Sequence, residues 1–393
     1  MSIARINPSP ESNSIGRSGA ALPTADNYGF YLNPAQLGFA SRTNVISVQF
    51  YPGKVDWLPS LSNVDITFNS AAYMLGYYFE DHESFMPRSL GFAYMKSAFD
   101  YGGTRIGGDG GILPPSGGTS QTLSFDSETV DAFAVGLGWD FYVNLNIGLT
   151  YKLLSSKFQR GSAEPEEVKE NAFDYGLLLL VPIFKFPGKR DNASFATSPK
   201  FFGYFDASFG YSQSNIAGTV SYIDENQGDP LPRTARLGYT LSAGIDMQYK
   251  FSPIDVLRLD WSSDAVDLLV NQDGSYQSGI LGDIDVWNNF ILGKNNDNVS
   301  VNKGLRLQLL EVLQFGFGKF QGPGFMPGPK TRGFGIKLKG ILKFLAADSF
   351  SQTANILRNH IDVQYLRTTY NVEDGHPLTG TTYQSIGIFL TGF

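Results

Sequence analysis

The sequence predicts an all-β fold: a transmembrane antiparallel β-barrel of about fourteen strands, preceded by an N-terminal hatch or plug segment. Three observations predict it. Apolar residues alternate with small or polar ones along stretches of about ten residues or more, each followed by a turn. The connections between those stretches alternate between short and long. Aromatic residues make up 14% of the 393 positions, with 44 glycines and only 17% charged residues. That composition suits aromatic belts around a closely lined lumen.

The alternation is plain between residues 132 and 142. Phe133, Val135, Leu137, Trp139 and Phe141 share one face, and Ala132, Ala134, Gly136, Gly138 and Asp140 share the other. Strand side chains point to opposite faces with period two, so one face is greasy and one is small and polar. The composition assigns the greasy face to lipid and the polar face to a lumen.

In order, the expected strands span 44–51, 64–79, 88–99, 129–142, 144–158, 171–183, 200–211, 234–250, 255–261, 301–309, 312–320, 331–345, 358–366 and 382–393. In the eighth, Leu237, Tyr239, Leu241, Ala243 and Ile245 oppose Arg236, Gly238, Thr240, Ser242 and Gly244. In the twelfth, Phe334, Ile336, Leu338, Leu342 and Phe344 oppose Gly333, Gly335, Lys337, Lys339 and Lys343. Three lysines on one face are costly in a soluble core and tolerable in a wet or ion-paired lumen. The long connections, at 52–63, 100–128, 159–170, 212–233, 262–300, 321–330 and 367–381, fall on one side, expected to be external. The turns at 143, 251–254 and 310–311 fall on the other, with two longer inner connections at 184–199 and 346–357. Residues 1–43 form the hatch segment and 44–393 the barrel, with both termini expected in the periplasm.

Cysteine is absent, which removes disulfides, thiolate chemistry and Cys-ligated metals. A net charge of −7 disfavours nucleic acid as a partner. The longest apolar run, 176–184, is too short for a spanning helix. The chain opens without a secretory signal, so the natural signal is expected to have been removed, with Met1 a replacement start.

No constellation points to an enzyme, a cofactor or a metal. The three histidines, His82, His360 and His376, have no metal-ligand spacing. The Gly107–Gly111 run lacks the Lys-Ser/Thr of a phosphate loop. The aspartates between 262 and 300 lack the spacing of a calcium loop and read as a solvated acidic loop. The polar parity places Asp140, Lys152, Arg236, Asp246, Lys250, Lys337 and Lys339 toward the lumen, together with Asp206, Arg258, Asp260 and Asp362. Both signs occur in similar numbers, which suggests internal ion pairs and a plugged lumen rather than a wide ion-selective pore.

The first forty or so residues do not alternate. Their small-residue run 14–27 and the later Asn33-Pro34-Ala35 resemble the N-terminal hatch of FadL-like outer-membrane barrels, most closely the PorV/PorQ branch. Trp57-Leu58-Pro59-Ser60-Leu61, the hairpin 304–318 and Thr331–Lys337 are similar to segments of that branch. The terminal Phe393 resembles the insertion signal of outer-membrane barrels. The resemblance implies residence in the bacterial outer membrane, contact with its lipid, and a protein-binding role in type IX-like secretion. The partner would be a translocon or secreted cargo, met through external loops and a contact near Trp57 and Leu58. The branch's longer run before the hatch is missing; only Ile6–Pro10 stands there. The alternative implied by the wider family is a FadL-like channel for hydrophobic small molecules such as fatty acids. A barrel-borne enzyme has no supporting residues.

Overall fold

The computed structural model describes the chain except for residues 61–64, 81–84, 103–104, 107–111, 114–122, 161–163, 186–195, 222–227, 251, 272, 322–327, 346–350 and 373–375. Long strands follow the alternating stretches: β1 (Val45–Phe50), β2 (Thr67–Tyr78), β3 (Ser89–Asp100), β4 (Leu123–Asp140), β5 (Asn144–Arg160), β6 (Glu166–Lys185) and β7 (Ala196–Ile216). Beyond them lie β8 (Thr234–Lys250), β9 (Ser252–Leu268), β10 (Val299–Leu309), β11 (Leu313–Gln321), β12 (Lys330–Lys337), β13 (Ile361–Asn371) and β14 (Thr382–Thr391). Each pairs antiparallel with the next. The pairing of β1 with β14, from Val45↔Thr391 to Phe50↔Ile386, closes a 14-strand barrel.

The parity read from the sequence is the parity of the wall. Phe133 is 48% exposed, whereas Ala132 and Ala134 are buried. Tyr73 and Leu75 of β2, Leu149 of β5, Phe173 of β6, Leu259 of β9 and Phe317 of β11 likewise face outward and are exposed. An apolar band this continuous is a lipid-facing surface. Exposed aromatics line the β2–β7 side of the end that carries the short turns: Phe85, Phe141, Tyr142, Phe184 and Phe201. Such girdles sit at the membrane interface. Most of the long connections leave from the opposite end, here the loop end; the exception is 338–360, between β12 and β13, at the turn end.

The twelfth expected strand is a correction. Strand β12 stops at Lys337, and Leu338–Leu345 forms helix α3, followed by α4 (Gln352–His360). The run Leu-Lys-Gly-Ile-Leu-Lys-Phe-Leu satisfies two periods. Its apolar residues lie at 338, 341, 342 and 345, the spacing of one helix face, as well as in rough alternation. Lys339 therefore does not stand on a strand face. The thirteenth strand starts later for the same reason, its expected first residues lying in α4.

The core lies inside the barrel. The N-terminal segment holds two short helices, α1 (Pro10–Ser14) and α2 (Gln36–Ala40). Ser9 caps α1 by accepting from Ser12 N–H at 3.0 Å, with Pro10 at the first helical position. Ile3, Ile6, Tyr28, Phe30 and Leu37 of this segment are buried against inward-facing Phe68, Met74, Met95, Phe99 and Leu154.

Candidate functional site

The N-terminal segment rests on a row of glycines. Gly76, Gly91, Gly136, Gly148 and Gly176 are register partners on five successive strands, β2 to β6, so five adjacent inward positions lack a side chain. The chain from Asn33 to Ser41 fills that space. A Cβ on Gly136 would stand 2.6 Å from Gly38 N and from Leu37 Cβ. Pro34 covers Gly148, and Asn33 covers Gly176. Asn33 fixes the turn: its Nδ2 donates to Ala20 O (2.6 Å) and Leu177 O (2.9 Å), and its Oδ1 accepts from Ala35 N–H (3.0 Å). Ala35 is fully buried. The glycines thus set how closely wall and segment approach.

Other strands hold the segment by hydrogen bonds and charge. On β4, Glu128 accepts from Ile3 N–H at 2.7 Å. On β9, Asp264 accepts from Gly19 and Ala20 N–H at 2.8 and 3.0 Å. On β10, Arg306 meets Glu11 at 2.5 Å and Asp260 at 2.7 Å. Thr331 of β12 accepts from Gly16 N–H (3.0 Å) and donates to Ser14 O (3.0 Å). Tyr370 of β13 donates to Asn13 Oδ1 at 2.7 Å. Two carboxyls of the segment respond in opposite directions. Burial works to raise the Glu11 pKa, but Arg306 and then Lys337 outweigh it and hold the group at about 2. Burial, with the Glu11 charge second, pushes Asp26 up to about 7. Ser9 Oγ donates to Asp26.

Between the segment and the loop ends of the wall lies a cavity of about 530 Å³. Ile6, Leu32, Val266 and Phe320 give it apolar surface, Arg5, Arg17, Lys152 and Arg236 give it positive charge, and Asp267, Asp283 and Asp297 give it negative charge. Two of these cations are matched. Lys152 pairs with Asp174 at 2.6 Å with both side chains fully buried, touches Asn215 Oδ1 at 3.0 Å, and lies 4.1 Å from the centre of the Tyr31 ring. Arg236 meets Asp264 at 3.2 Å and also donates to Arg17 O at 2.9 Å. The other two are not matched by a carboxylate among the described residues. Arg17, in the left-handed region at φ 61°, donates from Nη2 to Arg5 O (2.8 Å) and lies over the Phe320 ring at 5.4 Å. Its Nε is buried without a partner. Burial, then the Arg17 charge, lowers the Arg5 pKa. The Arg17 charge reaches Arg5, so two cationic side chains stand near one another in the cavity lining.

The remaining expected site residues are scattered. Asp140 sits at the turn end and pairs with Arg42 at 3.2 Å. Asp246 is half-buried on β8, and the side chain of Lys250 lies outside the described residues. Lys337 is half-buried at the end of β12 and close enough to Glu11 to lower its pKa. Lys339 is on α3, where its backbone N–H donates to Asp362 Oδ1 at 3.0 Å. Trp57 and Leu58 are half-buried and pack against the core. Trp57 Nε1 donates to the Tyr383 hydroxyl (3.2 Å), and its ring meets Phe99 edge-on at 5.3 Å. Asp264 and Asp267 of the expected acidic loop belong to β9. His82 and residues 107–111 lie outside the described residues, while His360 contacts Thr391 O at 2.7 Å and His376 accepts from Leu378 N–H at 3.1 Å.

Arg5 and Arg17 were missed because the segment carrying them has no period to read. A signal was available. Before Arg42, the chain holds only four charged residues: Arg5, Glu11, Arg17 and Asp26. Charges that sparse in a segment destined for burial are structural or ligand-facing.

No family model matches the sequence, and no curated protein matches it. Among solved structures the chain is similar to the toluene transporter TbuX of Ralstonia pickettii, at 10% identity over 97% of each chain with a TM-score of 0.38. It is similar also to a FadL homologue of Pseudomonas aeruginosa, at 11% identity over 98% of each chain with a TM-score of 0.39. The fold stated here rests on the strand pairing of the chain itself.

Proposed function

We propose that the chain is an outer-membrane channel of the FadL-like kind, taking up small amphipathic molecules that carry an anionic end. In this reading the loop end is external and the turn end periplasmic, as long and short connections are arranged in such barrels. The N-terminal segment serves as the plug, and the cavity above it receives the ligand. The observation that carries the proposal is the unmatched pair Arg5 and Arg17 at the floor of a cavity that also offers Ile6, Leu32 and Phe320. A site with a few placed charges and an apolar remainder holds a molecule with one charged end. The alternative, a protein-binding role in secretion, would place its contact at Trp57 and Leu58, which are half-buried against the core.

The test is calorimetric titration of the protein in nanodiscs with octanoate and with octanol. Octanoate binds the wild type, and the double variant Arg5→Ala/Arg17→Ala weakens it. Charge-assisted hydrogen bonds contribute about 1.5–3 kcal/mol, so the loss is roughly ten- to a hundredfold. Octanol binds both proteins alike. Octanoate affinity unchanged in the double variant, or absent in the wild type, overturns the proposal.

A further inference from the structure

Helix α3 turns its polar side toward the barrel and its apolar side away from it. Lys343 Nζ reaches Glu311 Oε2, in the turn between β10 and β11, at 2.5 Å and is buried. The backbone of Lys339 bonds Asp362 on β13. Gly340 lies so close to the Leu310 carbonyl that a side chain there would collide with it. That leaves Leu338, Phe344 and Leu345 exposed, Leu345 at 79%. A helix lying in water at a barrel mouth shows the opposite arrangement, with lysines out and leucines in. The exposed side is also continuous with a surface already facing lipid. Phe334 and Ile336 point outward from β12, and Leu338 is the next residue of the same alternation. The exposed aromatics Phe85, Phe141, Tyr142, Phe184 and Phe201 mark the same end of the barrel, on its β2–β7 side.

We infer that α3 is an interfacial anchor: its Leu338, Phe344 and Leu345 side is immersed in phospholipid at the boundary of headgroups and acyl chains beside the turn end. Helices with one apolar side lie in that plane, buried by about 5–10 Å. The lysines do not compete for the interface, because Lys343 is held by Glu311 on the barrel side. The anchor fixes how deeply this sector of the wall sits, independent of what the cavity binds.

Since the chain has no cysteine, one can be introduced at a time. Leu345→Cys and Leu338→Cys are labelled with the fluorophore NBD in phospholipid vesicles, with Leu149→Cys as the lipid reference and Lys54→Cys as the aqueous one. The expected result at 345 and 338 is blue-shifted emission, at least threefold less iodide quenching than at 54, and stronger quenching by lipids spin-labelled at acyl carbon 5 than at carbon 12. Iodide quenching equal to that at 54, with none from the lipids, places α3 in water and overturns the inference. Shielding from both quenchers, rising with protein density in the vesicle, assigns the surface to a second copy of the chain and overturns it equally. Heat-dependent gel mobility establishes that each variant has formed its barrel.

Discussion

Adding a single methyl group at Gly136 tests whether the glycine row sets the seat of the N-terminal segment. In Gly136→Ala the new Cβ stands 2.6 Å from Gly38 N and Leu37 Cβ, against 3.4 Å for ordinary contact, so α2 must retreat by about 0.8 Å. The retreat stretches the bond from Ser89 Oγ to Gly38 O, now 2.6 Å, to the limit of hydrogen bonding. Overpacking of this kind costs about 1–3 kcal/mol. If that cost falls on the segment, the population in which it has left its seat rises about 5- to 150-fold. The wall pays little, because the Gly136 strand remains paired on both sides. Single-channel conductance in planar bilayers reads the released state, and tryptic cleavage after Arg17 reads the exposure of the segment. Gly53→Ala is the control, since a Cβ at Gly53 meets nothing within 4 Å. Gly136→Ala indistinguishable from Gly53→Ala in both assays, with each barrel intact by heat-dependent gel mobility, refutes the reasoning.

Further outcomes follow from the charges. Asp174→Asn leaves Lys152 buried without a counter-charge and lowers stability by about 3–5 kcal/mol in thermal unfolding, whereas Lys152→Met/Asp174→Leu costs less because no charge is stranded. The Asp26 pKa is raised from 3.8 to about 7, so the folded chain favours the protonated form. Its contribution is complete below pH 3.8 and is lost as pH rises toward 7. Asp26→Asn flattens that dependence and melts above the wild type at pH 8. Glu11 works the other way: held at about 2, it contributes above pH 4.5 and loses that contribution as pH falls through 2, a loss Glu11→Gln abolishes.

The wall was legible in the sequence because a period of two survives whatever the lumen contains. Phe133 and Ala132 declare their faces without reference to any neighbour. Leu338–Leu345 was not legible, since the same eight residues meet the demands of a strand and of a helix. Contact with the Leu310 turn, more than twenty residues away, decides between them. The glycines were visible as small residues on the polar face. Their alignment across β2 to β6 depends on register, which the sequence does not state residue by residue. Mixed signs on the lumen parity pointed to internal pairing, and Lys152–Asp174 and Arg236–Asp264 are such pairs. Each joins neighbouring strands, so nothing in the local sequence marks the partner. Arg17 and Arg5 acquire meaning only once a folded segment without periodicity is set inside the wall.

The tethers along the N-terminal segment have a bearing on assembly. Ile3 is tied to β4, Gly19 and Ala20 to β9, Gly16 to β12 and Asn13 to β13, so opposite walls grip one thread. A cylinder completed empty would have to admit that thread afterwards, past partners already facing inward. Curling the sheet around the thread satisfies the same bonds as each hairpin arrives, leaving β1 and β14 as the last joint to be made. The opening forty residues are then the mandrel on which the rest is wound, and deleting them slows closure of the cylinder besides leaving it unfilled.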